Sequence, residues 1–120
     1  MDDHPKILYI DDEEDLLDLA ASFFEEENFR IDTCCNSQKA IELIRSNHYD
    51  LIISDARMPT GNGFELMKLV KEEGYYKGKV VVVTGDIESI HHETHQGVDV
   101  VLFKPIRFEE LIATVKKLLN

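Results

Sequence analysis

The fold is decided by a stretch in the middle of the chain, DLIISDARMP at residues 50–59. Its apolar run at 51–53 is typical of a strand that is buried on both faces of a parallel sheet. The run leads through Ser54 to the carboxylate of Asp55. Three other apolar runs end at residues with ionic or hydrogen-bonding side chains, namely Asp11 and Asp12, Thr84, and Lys104. Because the carboxyl ends of parallel strands share one edge of an open sheet, these side chains are predicted to meet there.

Strand-like and helix-like segments alternate along the whole chain, which is typical of βαβ units. The strand-like runs are 6–10, 29–34, 50–54, 79–83 and 100–103. The first helix is predicted to end at Asn28, and the second to be capped by Asn36 or Ser37. The third is predicted to begin at Gly63 and to end before Gly74, and the last to lie near 107–119. Segment 86–97 is short and polar, which favours only a marginal helix. We therefore expect an α/β fold with one open five-stranded parallel sheet and helices on both faces.

Length and charge narrow the classes of function. The 120 residues fit a single domain, 1–120, and 24 acidic against 13 basic residues give a formal charge of −11,. Such a field opposes binding to nucleic acid or to an anionic membrane. With no apolar run of about 18 residues and no signal peptide, we expect a cytoplasmic protein. Cys34 and Cys35 are adjacent and lack a metal-site spacing, so we expect both to be reduced.

The predicted site suits phosphoryl transfer. Asp55 could attack a phosphoryl group if positive groups neutralised the charge that develops on the oxygens. Asp11 and Asp12 supply hard oxygen ligands beside Asp55, a set suited to Mg²⁺. Lys104 offers a positive charge and Thr84 a hydroxyl donor to phosphate oxygens. A cis bond between Lys104 and Pro105 would direct the amine inward.

In order and spacing, four segments resemble the receiver domain of two-component response regulators, and the resemblance covers the whole chain. The segments are ILYIDDE at 7–13, DLIISDARMP at 50–59, VVTG at 82–85 and LFKP at 102–105, with a family-like turn at 61–63. The resemblance implies a CheY-like, flavodoxin-like doubly wound (βα)5 fold with strand order 2-1-3-4-5. It implies that Asp55 accepts the phosphoryl group and that Thr84 and Lys104 contact it. The implied ligands of Mg²⁺, or of Mn²⁺, are Asp11, Asp12, Asp55 and the backbone carbonyl of Arg57.

The resemblance also implies partners. The phosphoryl donor would be a sensor histidine kinase or a histidine phosphotransfer protein, and a downstream target would bind the last two helices and the last strand. The chain would then be a signalling domain rather than an enzyme, with only weak self-directed phosphotransfer and autodephosphorylation. It would carry no output domain, and a weak homodimer is compatible with it. A stand-alone regulator and a piece of a larger regulator or hybrid kinase both stay open.

Two features, at Val101 and in the fourth helical segment, depart from the family pattern, and a pair of charged residues beside the site suggests a gate. Many members have an aromatic residue three positions before the lysine, where this chain has Val101, so the conformational switch is expected to use different packing. Arg57 and Asp86 lie two residues after Asp55 and Thr84, and we hypothesise that they pair across the site and gate water. The fourth helical segment is polar and contains His91, His92 and His95, which are expected to be exposed rather than metal-bound.

Three other functions agree less well with the residues. A phosphatase or phosphotransferase of the haloacid-dehalogenase type would need a second Asp two residues after the nucleophile, where this chain has Arg57. A flavin-binding module would need a phosphate loop after the first strand, and the carboxylates from Asp11 to Asp15 would repel phosphate. A phosphorylation-independent scaffold would not need the complete set of site residues. The receiver function is therefore preferred.

Overall fold

A computed structural model describes residues 3–85 and 97–120. The strands are β1 (Lys6–Ile10), β2 (Arg30–Cys34), β3 (Leu51–Asp55), β4 (Arg57–Met58), β5 (Gly61–Asn62), β6 (Lys79–Thr84) and β7 (Val100–Phe103). The helices in these ranges are α1 (Glu14–Glu26), α2 (Ser37–Ser46), α3 (Gly63–Glu72) and α4 (Phe108–Leu119). The marginal helix expected at 86–97 lies almost wholly outside the described residues. In the described ranges, no helix has the length and apolar content to cross a membrane.

Five strands form one parallel sheet in the order β2-β1-β3-β6-β7. These are the five predicted strands, so the predicted order 2-1-3-4-5 and the α/β doubly wound fold are confirmed. The short strands β4 and β5 pair with each other in an antiparallel hairpin, which was not predicted. This order places β1, β3 and β6 side by side in the middle of the sheet, where their carboxyl ends are neighbours.

The two faces of the sheet build two separate hydrophobic clusters. Leu8 and Ile10 of β1 pack on the side of α2 and α3, whereas Ile7 and Tyr9 pack on the side of α1 and α4. Each of these side chains is at most 1% exposed. Burial of alternate residues on opposite faces explains why the central strands β1, β3 and β6 are apolar over most of their length,. It also fixes the register, because a slip by one residue would exchange the two clusters.

The predicted helix boundaries agree with the local geometry. Asn36 caps α2, since its side chain accepts a hydrogen bond from the Lys39 backbone N–H at 2.8 Å. Asn28 follows α1 with a φ of 67°, the left-handed conformation that often ends a helix,. Asn62 caps α3 by accepting from the Phe64 N–H at 2.7 Å. The side chains of Asn36 and Asn62 thus satisfy backbone N–H groups that a helix leaves unpaired at its start.

Gly63 brings the start of α3 against the end of β3. Its N–H donates to the Ala56 carbonyl at 2.8 Å, and a Cβ at this position would collide with the backbone carbonyl oxygen of Asp55. A backbone atom cannot move aside as a flexible side chain can. Only glycine therefore allows this close approach beside Asp55.

We predict that Gly63→Ala lowers the free energy of unfolding by about 1–3 kcal/mol, because the added methyl group forces the backbone apart. Gly85→Ala is the matched control, since its Cβ would meet its nearest neighbour, Lys104 Cβ, at an ordinary 3.9 Å. Urea unfolding monitored by circular dichroism measures both variants. Equal unfolding midpoints for the two variants would show that the approach at Gly63 is not constrained.

Candidate functional site

Three carboxylates meet at the carboxyl edge of the two central strands. Asp55 is the last residue of β3, and Asp11 and Asp12 directly follow β1, its neighbour in the sheet. One oxygen from each carboxylate lies within 4.8 Å of the others. Asp11 and Asp55 are 1% and 5% exposed, whereas Asp12 is exposed. The structure thus brings together the three acids that the sequence placed at strand ends.

Lys104 supplies a positive charge to this cluster. Its Nζ lies 3.1 Å from Asp55 Oδ2, at hydrogen-bond distance, and 3.9 Å from Asp11 Oδ2. The side chain is about one third exposed, so it bridges the buried acids and solvent. Its peptide bond to Pro105 is cis, as the sequence analysis had anticipated.

Thr84 completes the set from the end of β6 and is 1% exposed. The backbone N–H of Lys104 donates to the carbonyl of Thr84 at 2.9 Å, which joins the ends of β6 and β7. We call the group Asp11, Asp12, Asp55, Thr84 and Lys104 the acid pocket. Each of its residues directly ends or follows a strand, so the sheet itself fixes their spacing.

Burial and charge perturb the titration of the acid pocket. Burial raises the pKa of Asp11 to about 6; the backbone N–H of Glu13 opposes this rise, and the negative charge of Asp55 adds to it. For Lys104, burial acts to lower the pKa, but the hydrogen bond to Asp55 and the charges of Asp55 and Asp11 outweigh it, so the pKa is raised. Lys104 is therefore a permanent cation at neutral pH. Burial is the main cause that raises the pKa of the nearby Tyr9, and the negative charges of Asp11 and Asp55 add to it. The Tyr9 hydroxyl is therefore neutral.

The acid pocket has the composition of a site for a hard divalent cation. Three ionised carboxylates and one ammonium leave a net charge of −2, which one divalent ion would balance. The donors are all oxygens, the ligands that Mg²⁺ and Mn²⁺ prefer. Clustered like charges otherwise raise one another's pKa, as Asp55 does for Asp11. The residues present therefore fit such an ion, with Asp11, Asp12 and Asp55 as its ligands.

The segment after Asp55 forms the β4–β5 hairpin, which sequence reasoning missed. Met58 anchors the hairpin in the core. Thr60 joins it to the start of α2, since its hydroxyl accepts from the Ser37 N–H at 3.1 Å. Arg57, whose carbonyl the resemblance assigns to the metal, begins the hairpin with an exposed side chain. The polar residues before the apolar start of α3 were a signal for its cap, but not for strands only two residues long.

Of the other residues that the sequence analysis singles out, some lie in the described ranges and some do not. Val101 is partly buried and packs against the core on the side of α2 and α3. Phe103 is 44% exposed and pairs in register with Thr84. Asp86 and the three histidines lie outside the described residues, as does the hypothetical pair between Arg57 and Asp86. Cys34 and Cys35 are free thiols, as expected, and burial raises the pKa of Cys34 to about 11.

The chain is similar to known proteins in sequence and in fold. The family described as the response regulator receiver domain matches residues 7–116. A two-component response regulator from Clostridium difficile is 35% identical, with a TM-score of 0.86 and coverage of 97% of this chain and 96% of that one. The response regulator TrrA from Thermotoga maritima, solved in complex with Mg²⁺-BeF, is 30% identical, with a TM-score of 0.86 and coverage of 96% and 99%.

Curated relatives include the response regulator SaeR of Staphylococcus aureus. It is 29% identical over 118 residues, which make up 95% of this chain and 50% of SaeR. The chain thus spans about half the length of the curated relatives that it matches. Together with the strand order and the acid pocket, the family match over residues 7–116 leads to one conclusion: the chain belongs to the response regulator receiver domains of two-component systems.

Proposed function

We propose that Asp55 accepts a phosphoryl group in a reaction that requires Mg²⁺ or Mn²⁺, and that this modification switches the binding of partners. The donor would be the phosphohistidine of a sensor histidine kinase or of a histidine phosphotransfer protein. The observation that carries the proposal is the setting of Asp55. This carboxylate is 5% exposed, lies 3.1 Å from the Lys104 ammonium, and shares its edge of the sheet with two further acids.

The proposed transfer is a single displacement at phosphorus. A carboxylate oxygen of Asp55 attacks the phosphorus, the new O–P bond forms as the N–P bond to the imidazole breaks, and the leaving imidazole keeps the electron pair and takes up a proton. A divalent ion held by Asp11, Asp12 and Asp55 would supply charge neutralisation. The Lys104 ammonium lies 3.1 Å from the Asp55 carboxylate, so it could contact an oxygen of a phosphoryl group attached to Asp55. The Thr84 hydroxyl would donate to another oxygen.

The same residues support a route from phosphorylation to partner binding. Thr84 and Lys104 end neighbouring strands and share a backbone hydrogen bond of 2.9 Å. A phosphoryl group that attracts both side chains would displace the ends of β6 and β7 together. Val101 is packed into the core, whereas Phe103 is exposed beside Thr84. We therefore propose that the packing of β7, rather than an aromatic residue at position 101, transmits the change.

The target surface in this proposal consists of β7, α4 and the chain segment before β7, most of which lies outside the described residues. A kinase with a cytoplasmic catalytic domain would place the exchange in the cytoplasm. The chain would act as a signalling domain whose own chemistry is limited to slow uptake and loss of its phosphoryl group. The haloacid-dehalogenase alternative gains no support, because the residue two positions after Asp55 is Arg57, a cation with an exposed side chain.

We predict that incubation with acetyl phosphate and Mg²⁺ adds one phosphoryl group to the wild type, seen as a gain in intact mass. Asp55→Asn should show no gain, and chelation of Mg²⁺ should abolish the gain in the wild type. Asp18→Asn, which removes an exposed acid from α1, is the control that should label normally. Labelling of Asp55→Asn at the wild-type rate would overturn the assignment of the acceptor. The assignment would also be overturned if the wild type gained no mass under conditions in which a known receiver domain is phosphorylated.

The raised pKa of Asp11 predicts a pH dependence of stability in the absence of divalent ions. Its pKa is about 6 in the fold against an ordinary 3.8, so between these values the folded state binds more protons than the unfolded state. The contribution of Asp11 to stability therefore falls as pH rises from about 4 to about 6, and the full penalty persists above that range.

At pH 8, Asp11→Asn should consequently be more stable than the wild type by about 1–2 kcal/mol, after allowance for solvent screening. Because other groups titrate in the same range, the measurement is the difference between variant and wild type. Urea unfolding in a chelating buffer at several pH values gives it. A difference that does not change between pH 4 and pH 7 would contradict the raised pKa.

A further inference from the structure

The β4–β5 hairpin that follows Asp55 is held at its base and in its first strand. At the base, the Ala56 N–H donates to the Val83 carbonyl at 2.9 Å, and the Ala56 carbonyl accepts from the Gly63 N–H at 2.8 Å. Met58 of β4 is 8% exposed and packs in the core on the side of α2 and α3. A two-stranded hairpin of this size is not stable by itself, so its position depends on contacts of this kind.

The exposed tip of the hairpin, residues 59–61, contacts the start of α2. Thr60 Oγ1 accepts from the Ser37 backbone N–H at 3.1 Å and lies 3.3 Å from Ser37 Oγ. Ser37 is the first residue of α2, so its N–H is one of those that a helix leaves unpaired,. Gly61 permits the close approach, since its φ is +153° and a Cβ there would lie 3.1 Å from Ser37 Oγ. The tip is therefore held directly against α2.

This contact bears on the acid pocket because the hairpin begins beside the predicted metal ligands. Asp55 ends β3, and Arg57 begins the hairpin two residues later. A shift of the tip would pass through the paired strands β4 and β5 to the peptide groups between Asp55 and Arg57. The resemblance to receiver domains implies that the Arg57 carbonyl and the Asp55 carboxylate hold the same ion. Their relative position matters because Mg²⁺ demands near-ideal octahedral geometry.

We propose that Thr60 is a positioning residue for the divalent ion. Its hydroxyl holds the hairpin against α2 and thereby fixes the backbone of Ala56 and Arg57 relative to the Asp55 carboxylate. Thr60 acts through the hairpin, since its hydroxyl is engaged with Ser37. Groups outside the ligand set commonly hold ligands in place and contribute to metal affinity. The inference rests on the proposed function, because it requires the ion that the acid pocket would bind.

The test is a titration of the isotope-labelled, unphosphorylated chain with MgCl₂ at constant ionic strength, followed by the amide NMR shifts of Asp11, Asp12 and Asp55. No phosphoryl donor is present, so the dissociation constant of Mg²⁺ is measured apart from phosphorylation. Thr60→Val keeps the branched shape but removes the hydroxyl acceptor, and it should raise this dissociation constant by about three- to tenfold. Thr60→Ser keeps the hydroxyl and should stay within about twofold of the wild type.

Three controls separate positioning from the stability of α2. Ser37→Ala removes the hydroxyl but keeps the backbone N–H that donates to Thr60, so the Mg²⁺ affinity should stay within about twofold of the wild type. Asn36→Ala removes the cap of α2 and should lower the free energy of unfolding, measured with urea in a chelating buffer, while the affinity stays unchanged. Thr114→Val makes the same substitution in α4, where the hydroxyl bonds within its own helix, and should not change the affinity.

The possible failures are distinguishable. An unchanged dissociation constant in Thr60→Val, beside a wild type that binds Mg²⁺, would overturn the positioning role and leave the acid pocket as a metal site. Equal weakening in Asn36→Ala would assign the effect to the stability of α2 and would also overturn the role, as would weakening in Thr60→Ser equal to that in Thr60→Val. A wild type whose Asp55 shift does not respond to Mg²⁺ would overturn the metal site of the proposed function together with this inference.

Discussion

Electrostatic repulsion among three carboxylates at one edge of the sheet is the constraint on which the rest of this structure depends. Asp11 and Asp55 are nearly inaccessible to solvent, so water cannot screen them as it screens surface acids,. Lys104 compensates for part of their charge at 3.1 Å and 3.9 Å. Burial, with a smaller contribution from the charge of Asp55, still raises the pKa of Asp11 in the presence of Lys104. A site of this kind is stabilised by any group that adds positive charge within reach of these oxygens.

The sheet holds the charges in place because its core is hydrophobic on both faces. β1 and β3 are the neighbouring central strands, and their side chains are buried under helices on either side. Gly63 then brings the start of α3 against the end of β3 and gives β3 a rigid boundary. Stability from packing thus offsets the cost of clustered acids, and proteins commonly keep locally unfavourable features of this sort at functional sites.

Much of this structure could be predicted from the sequence, and the exceptions have a physical cause. Buried parallel strands are continuous apolar runs, and four of the five runs here end at Asp11, Asp55, Thr84 or Lys104. Both the sheet and the position of the acid pocket could therefore be predicted. The β4–β5 hairpin was missed because strands two residues long have no periodicity. Thr60 and Ser37 contact each other across 23 positions of sequence, and Phe23 of α1 stacks on Phe108 of α4. Local patterns do not encode such long-range contacts.

The most direct measurement of the central claim is the thermal unfolding midpoint as Mg²⁺ is added, at constant ionic strength. If the acid pocket lacks two positive charges that a divalent ion supplies, the midpoint of the wild type should rise with Mg²⁺ concentration. At about 100 times the dissociation constant, the gain corresponds to about 2.7 kcal/mol. Asp55→Asn should lose most of this rise, whereas Asp18→Asn should keep it. A wild-type midpoint that does not respond to Mg²⁺, or an equal rise in Asp55→Asn, would contradict a divalent-ion site formed by these carboxylates.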